Sequence, residues 1–187
     1  MSDNIQNLSI DCINRIWLWY EALTTTYSYL MVEKHIEVNY PKTNIDCKYS
    51  MNGMNGGANV NSIARNALIE SAIILFCQIY SRGKKCDGIA QNRGNQEVDE
   101  FRDSLENFTI RKLDWSIEEY SNFVKYIHDM RNQFFAHYDA SKANYKVLQP
   151  GINSRRIIGC KLDKDKIIKF AQMIEIMIEY LLIRLNT

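Results

Sequence analysis

The segment Arg131–Asp139, RNQFFAHYD, holds the residues whose types and spacing best suit chemistry. Arginine presents a planar fork of N–H donors that fits a phosphate and stays charged near neutrality. Histidine, with an ordinary pKa near 6.5, gives and takes protons at pH 7. Together with Asn132, an uncharged donor and acceptor, Arg131 and His137 have the parts to act on a phosphodiester that carries its own nucleophile. Arg131 binds the phosphate and stabilises developing charge. His137 protonates a leaving 5′-oxygen or removes a 2′ proton, and Asn132 orients the phosphate or the imidazole. Such a reaction yields a 2′,3′-cyclic phosphate and a 5′-hydroxyl and calls for no metal and no other cofactor.

The same residues also have an ordinary reading. A histidine in the last turn of a helix interacts favourably with the helix dipole, and an arginine stem packs along a surface. On a straight helix, six steps separate Arg131 from His137 by roughly 120° and about 9 Å of rise. The pair converges only if the helix ends at Ala136 or if a second copy of the chain supplies the other half.

Further candidates surround this motif. His128 stands three residues before Arg131, hence near it on a helix, and is a possible supporting residue, as are Tyr138 and Asp139. Glu21 is a candidate supporting carboxylate. For His35 the expected role is capping or surface. Trp17, Trp19 and Trp115 are expected in packing rather than base stacking, and Met51 and Met54 are given no role.

The elements that must position these residues are helical. From about Ile5 to Val38, residues Ile13, Trp17, Tyr20, Leu23, Tyr27, Leu30 and Met31 recur at spacings of three and four, and the stripe stops before Pro41. The Asn- and Gly-rich stretch from Asn39 to Asn61 reads as a loop. Its NGGANVNS portion lacks the ending of a phosphate-binding loop. Further helices are expected over about Ser62–Ser81 and Glu97–Phe108. Another opens at Ser116, where Ser116 and Glu119 have the capping-box spacing, and closes with the motif. Asp163 is expected to cap the last one. Between these lie the loop RGKKCDGIAQNRG and, after the motif, an irregular stretch with a short hairpin around Pro150-Gly151. With no repeat and no strong strand, the chain reads as one domain, residues 1–187, an all-α up-and-down bundle of four to five helices.

Bulk properties narrow the class. A chain with 46% hydrophobic and 24% charged residues can build a core and keep a solvated surface. Net charge is +1, so no global basic field attracts nucleic acid. The distribution is uneven: Lys142–Lys166 carries seven basic residues against two acids, and Glu97–Glu119 eight acids against three basic residues. The five cysteines show no metal-binding spacing and fit free thiols in a reducing cytoplasm. No apolar run is long enough for a bilayer and no signal peptide is visible, so no membrane partner is expected.

A helical bundle of this size, with Arg131-Asn132 and His137 near the end of its penultimate helix, resembles a HEPN domain. The form RNQFFAHYD is most similar to the abortive-infection, toxin-like branch, and only Arg131–Asp139 is distinctive. The resemblance implies a metal-independent endoribonuclease, a toxin or antiviral effector, working on RNA as a homodimer whose two motifs meet. It also admits an antitoxin or other regulatory protein, and a catalytically silent module that binds RNA or a partner. Family members whose antitoxin modifies a tyrosine carry it two positions after the histidine. This chain has Asp139 there, with Tyr138 shifted by one. The aromatic first helix and the motif helix are the expected dimer face.

Overall fold

The fold is given by a computed structural model that describes residues 8–40, 46–51, 54–80, 96–136 and 164–186. Among them are five helices, α1 (Ile10–Asn39), α2 (Val60–Tyr80), α3 (Gln96–Leu113), α4 (Ile117–Ala136) and α5 (Lys164–Leu185), with two short strands, β1 (Asp46–Met51) and β2 (Met54–Asn59). The fold is an all-α helical bundle with a small hairpin between α1 and α2.

Helix ends follow local chemistry. α1 starts at Ile10, later than the spacing predicts, because Ser9 caps it: the Ser9 hydroxyl accepts from the Cys12 N–H. Glu97 on α3 fixes that cap by accepting from both the Ser9 N–H and its hydroxyl. α3 runs five residues past the expected Phe108, since Thr109 is buried and satisfies its hydroxyl on the Leu105 carbonyl at 2.8 Å. It then stops in a Schellman arrangement. Asp114 takes a positive φ of 55°, Trp115 N–H bonds the Ile110 carbonyl, and Asp114 N–H bonds that of Arg111. Aspartate tolerates this left-handed conformation better than most residues.

The stretch expected as a loop contains the hairpin. β1 and β2 pair antiparallel from Asp46↔Asn59 to Met51↔Met54. The Asn and Gly content of this stretch masks two strand signals. Cys47, Tyr49 and Met51 alternate with polar residues, the period of a strand, and the strands are separated in sequence by Asn52-Gly53, a dipeptide common in two-residue hairpins. β2 (MNGGAN) hides because it has few side chains to show a pattern. The expected Pro150-Gly151 hairpin and Asp163 cap lie outside the described residues.

Helices α2 and α5 pack on α1, α3 packs on α5, and α4 packs on α2. α1 and α5 run antiparallel: Trp19 joins Tyr180 through Phe101, Tyr27 meets Glu175, and Val38 lies by Lys164 and Ile168. The core is continuous through all five helices, with Leu23, Phe76, Leu105, Ile127 and Phe170 fully buried. Phe76 and Phe170 meet edge to face at 5.2 Å, tying α2 to α5.

Candidate site on helix α4

α4 begins with the capping box that its sequence predicts. Ser116 Oγ accepts from the Glu119 N–H at 3.1 Å, and the Glu119 carboxylate accepts from the Ser116 N–H at 2.7 Å. The latter bond, followed by that of the Ser116 hydroxyl, holds the Glu119 carboxyl below its ordinary range.

Tyr120, Ile127 and Met130 form the buried stripe of the helix. Cys77 Sγ on α2 lies 3.9 Å from the Ile127 carbonyl, marking where α4 leans on α2. This packing fixes the orientation of the last described turns. Arg131, four residues after Ile127, sits at the border of the buried stripe and is half-buried, while Asn132 is exposed. His128, one turn before Arg131, is also half-buried. Burial, and then the neighbouring Arg131 charge, push its pKa below the ordinary 6.5, with Asp129 opposing. Both effects favour the neutral imidazole.

The structure thus brings His128, Arg131 and Asn132 onto adjoining positions of one helix. His137, Tyr138 and Asp139 lie outside the described residues, as does most of the basic stretch from Lys142 to Lys166. Glu21 is exposed on α1, and no described interaction joins it to α4. His35 is occupied locally, with Asn39 Nδ2 3.0 Å from its Nδ1 and bonded to its carbonyl. Trp19 is buried, Trp115 packs on Phe123 at 5.3 Å, and Trp17 stays 48% exposed against Tyr20. Met51 and Met54 are paired in register between β1 and β2.

Against models of known protein families, curated proteins and solved structures, the chain has no match.

One site had no signal in the sequence. A cavity of about 280 Å³ lies between α1 and α5, bordered by Tyr27, Glu33, Lys34, Glu37, Lys164 and Glu175. The two walls are more than a hundred residues apart, so no local motif announces them. Burial, and then the Glu175 carboxylate beside it, raises the Tyr27 phenol pKa. Glu33 is buried and takes the Arg65 guanidinium of α2 at 2.6 Å, while Glu37 meets it at 3.4 Å. Among the described residues no three His, Cys, Asp or Glu side chains group as metal ligands, and no helix is long and apolar enough to cross a membrane.

Proposed function

We propose that the protein is a metal-independent endoribonuclease of the HEPN type, acting as a homodimer and serving as a toxin or antiviral effector. The observation that carries this reading is the placement of Arg131 and Asn132. Arg131 is half-buried next to the buried positions Ile127 and Met130 of α4, while Asn132 is exposed. The planar, charged fork of an arginine suits a phosphate that gains charge in the transition state. The motif Arg131-Asn132-x4-His137 supplies the resemblance and the proton-transfer group.

In this mechanism the RNA 2′-oxygen attacks the adjacent phosphorus and the bond from phosphorus to the 5′-oxygen breaks. Arg131 stabilises the equatorial oxygens, Asn132 orients the phosphate, and His137 protonates the leaving oxygen. Two protomers bring their motifs to one phosphodiester. A partner protein that covers the motif would restrain the activity.

The test uses purified full-length protein and a mixture of structured and unstructured RNAs, with 2′-deoxy versions as controls. The expected result is cleavage to 2′,3′-cyclic phosphate and 5′-hydroxyl ends, unchanged by chelator and absent on the deoxy substrates. Arg131→Ala and His137→Ala should each abolish it without altering helicity. Binding of RNA by wild type with no cleavage would instead make the chain a silent recognition module.

A further inference from the structure

Three polar residues of α4 fall at positions 128, 131 and 132. On a helix, i and i+3 or i+4 side chains are neighbours, with Cβ atoms about 5–6 Å apart. His128 is therefore beside both Arg131 and Asn132. The Arg131 guanidinium is close enough to the His128 ring for its charge to act on it. With His137 on the leaving oxygen, the 2′-hydroxyl still needs a proton acceptor. That acceptor must be in its neutral form at working pH, while an acid for the leaving group must hold its proton.

We propose that His128 is the general base of the site, taking the proton from the 2′-hydroxyl of the nucleotide whose phosphate Arg131 holds. This inference rests on the ribonuclease reading and deepens it. In the step, the 2′-O–H bond breaks and its proton passes to an imidazole nitrogen of His128. The oxygen forms its bond to phosphorus, and the departing 5′-oxygen takes a proton from the acid of the site. No oxidant, metal or co-reactant enters the balance.

Among the described residues, burial of the ring and the charge of Arg131 favour the neutral form, and Asp129 opposes them. α2, on which α4 packs, has Arg65 and Glu70 among its described side chains, and neither acts on the ring. A base held neutral in this way keeps its activity into mildly acid solution.

The experiment compares wild type, His128→Gln, His128→Ala and Arg131→Ala on a single unstructured RNA, with rates taken across pH 5 to 9, which about spans histidine titration. Helicity and melting temperature are followed in parallel. Wild type should show an acid limb with its midpoint below 6.5, the ordinary histidine value. His128→Gln should lose roughly 10²–10⁴-fold in rate, the usual worth of a general base, and lose that limb. Added imidazole should restore part of the activity of His128→Ala, which a purely structural histidine does not allow. If wild type cleaves and Arg131→Ala does not, yet His128→Gln keeps both rate and acid limb, the assignment of the base is wrong and the ribonuclease reading stands. If wild type cleaves no RNA, both fall.

Discussion

The ion pair between α1 and α2 offers a direct test of how burial sets the worth of a charge. Arg65 places Nε at 2.7 Å and Nη2 at 2.6 Å from Glu33 Oε1. The carboxylate side chain is 1% exposed and the guanidinium side chain 33%. At 2.6 Å and an effective dielectric of 20, the gross attraction is about 6 kcal/mol. Against it stands the desolvation of Glu33, several kcal/mol. Arg65→Met removes the attraction and leaves the desolvation. Breaking a buried pair costs about 3–5 kcal/mol, and because the arginine end is open to water the low end applies, about 3 kcal/mol. Glu33→Gln removes the costly charge as well, so its loss is smaller, about 1–2 kcal/mol. The double variant should show a coupling of about 1.5 kcal/mol or more. Lys112 and Glu179 supply the control, a pair at 3.0 Å whose side chains are 49% and 46% exposed. Lys112→Met should cost at most about 0.5 kcal/mol. Urea unfolding followed by circular dichroism at pH 7, in low and high salt, measures all four. Equal losses for Arg65→Met and Lys112→Met, within about 0.5 kcal/mol, would refute the reasoning, because the exposed pair has no buried carboxylate to leave uncompensated.

Ser116→Ala removes one half of the capping box and should cost about 1 kcal/mol in the same assay, with amide exchange rising most in the first turn of α4. Cys12 has its thiol pushed from 9.0 up to about 11, first by burial and then by the Glu97 charge. The native state thus keeps a proton that the unfolded chain releases, so stability falls as pH rises from 9 toward 11. At pH 8 thiol-reactive probes should label Cys12 far more slowly in folded than in unfolded protein, with peptide mapping as the readout. His128 runs the other way. Its native pKa is depressed, so the unfolded state binds the proton first, and stability drops as pH falls below 6.5. His128→Gln should flatten that acid slope, and an unchanged slope would show that the ring is not held neutral by the fold.

Much of the helical order is written in local pattern. The three- and four-residue spacing from Ile13 to Met31 anticipates α1, Pro41 marks its limit, and Ser116 with Glu119 places the start of α4 to the residue. Arg131 and Asn132 stand out in the sequence by their type and by their place near the end of an apolar stripe. Other features were hidden by composition. Thr109 and Arg102 occupy buried positions of α3, so its stripe looked shorter than it is. Gly56 and Gly57 in β2 have no side chains with which to show a strand period.

The sequence by itself determined where helices begin, which faces are apolar, and that a guanidinium and two imidazoles stand within ten residues. Those follow from interactions between near neighbours in the chain, which periodicity records. Only the tertiary structure decided which of these groups is buried and what charge it carries. Burial and the Arg131 charge favour the neutral form of His128. The burial of Glu33 is expected to make its contact with Arg65 worth several times the exposed Lys112–Glu179 contact. The physical reason is desolvation: its magnitude depends on atoms brought in from distant segments, and no local spacing encodes them.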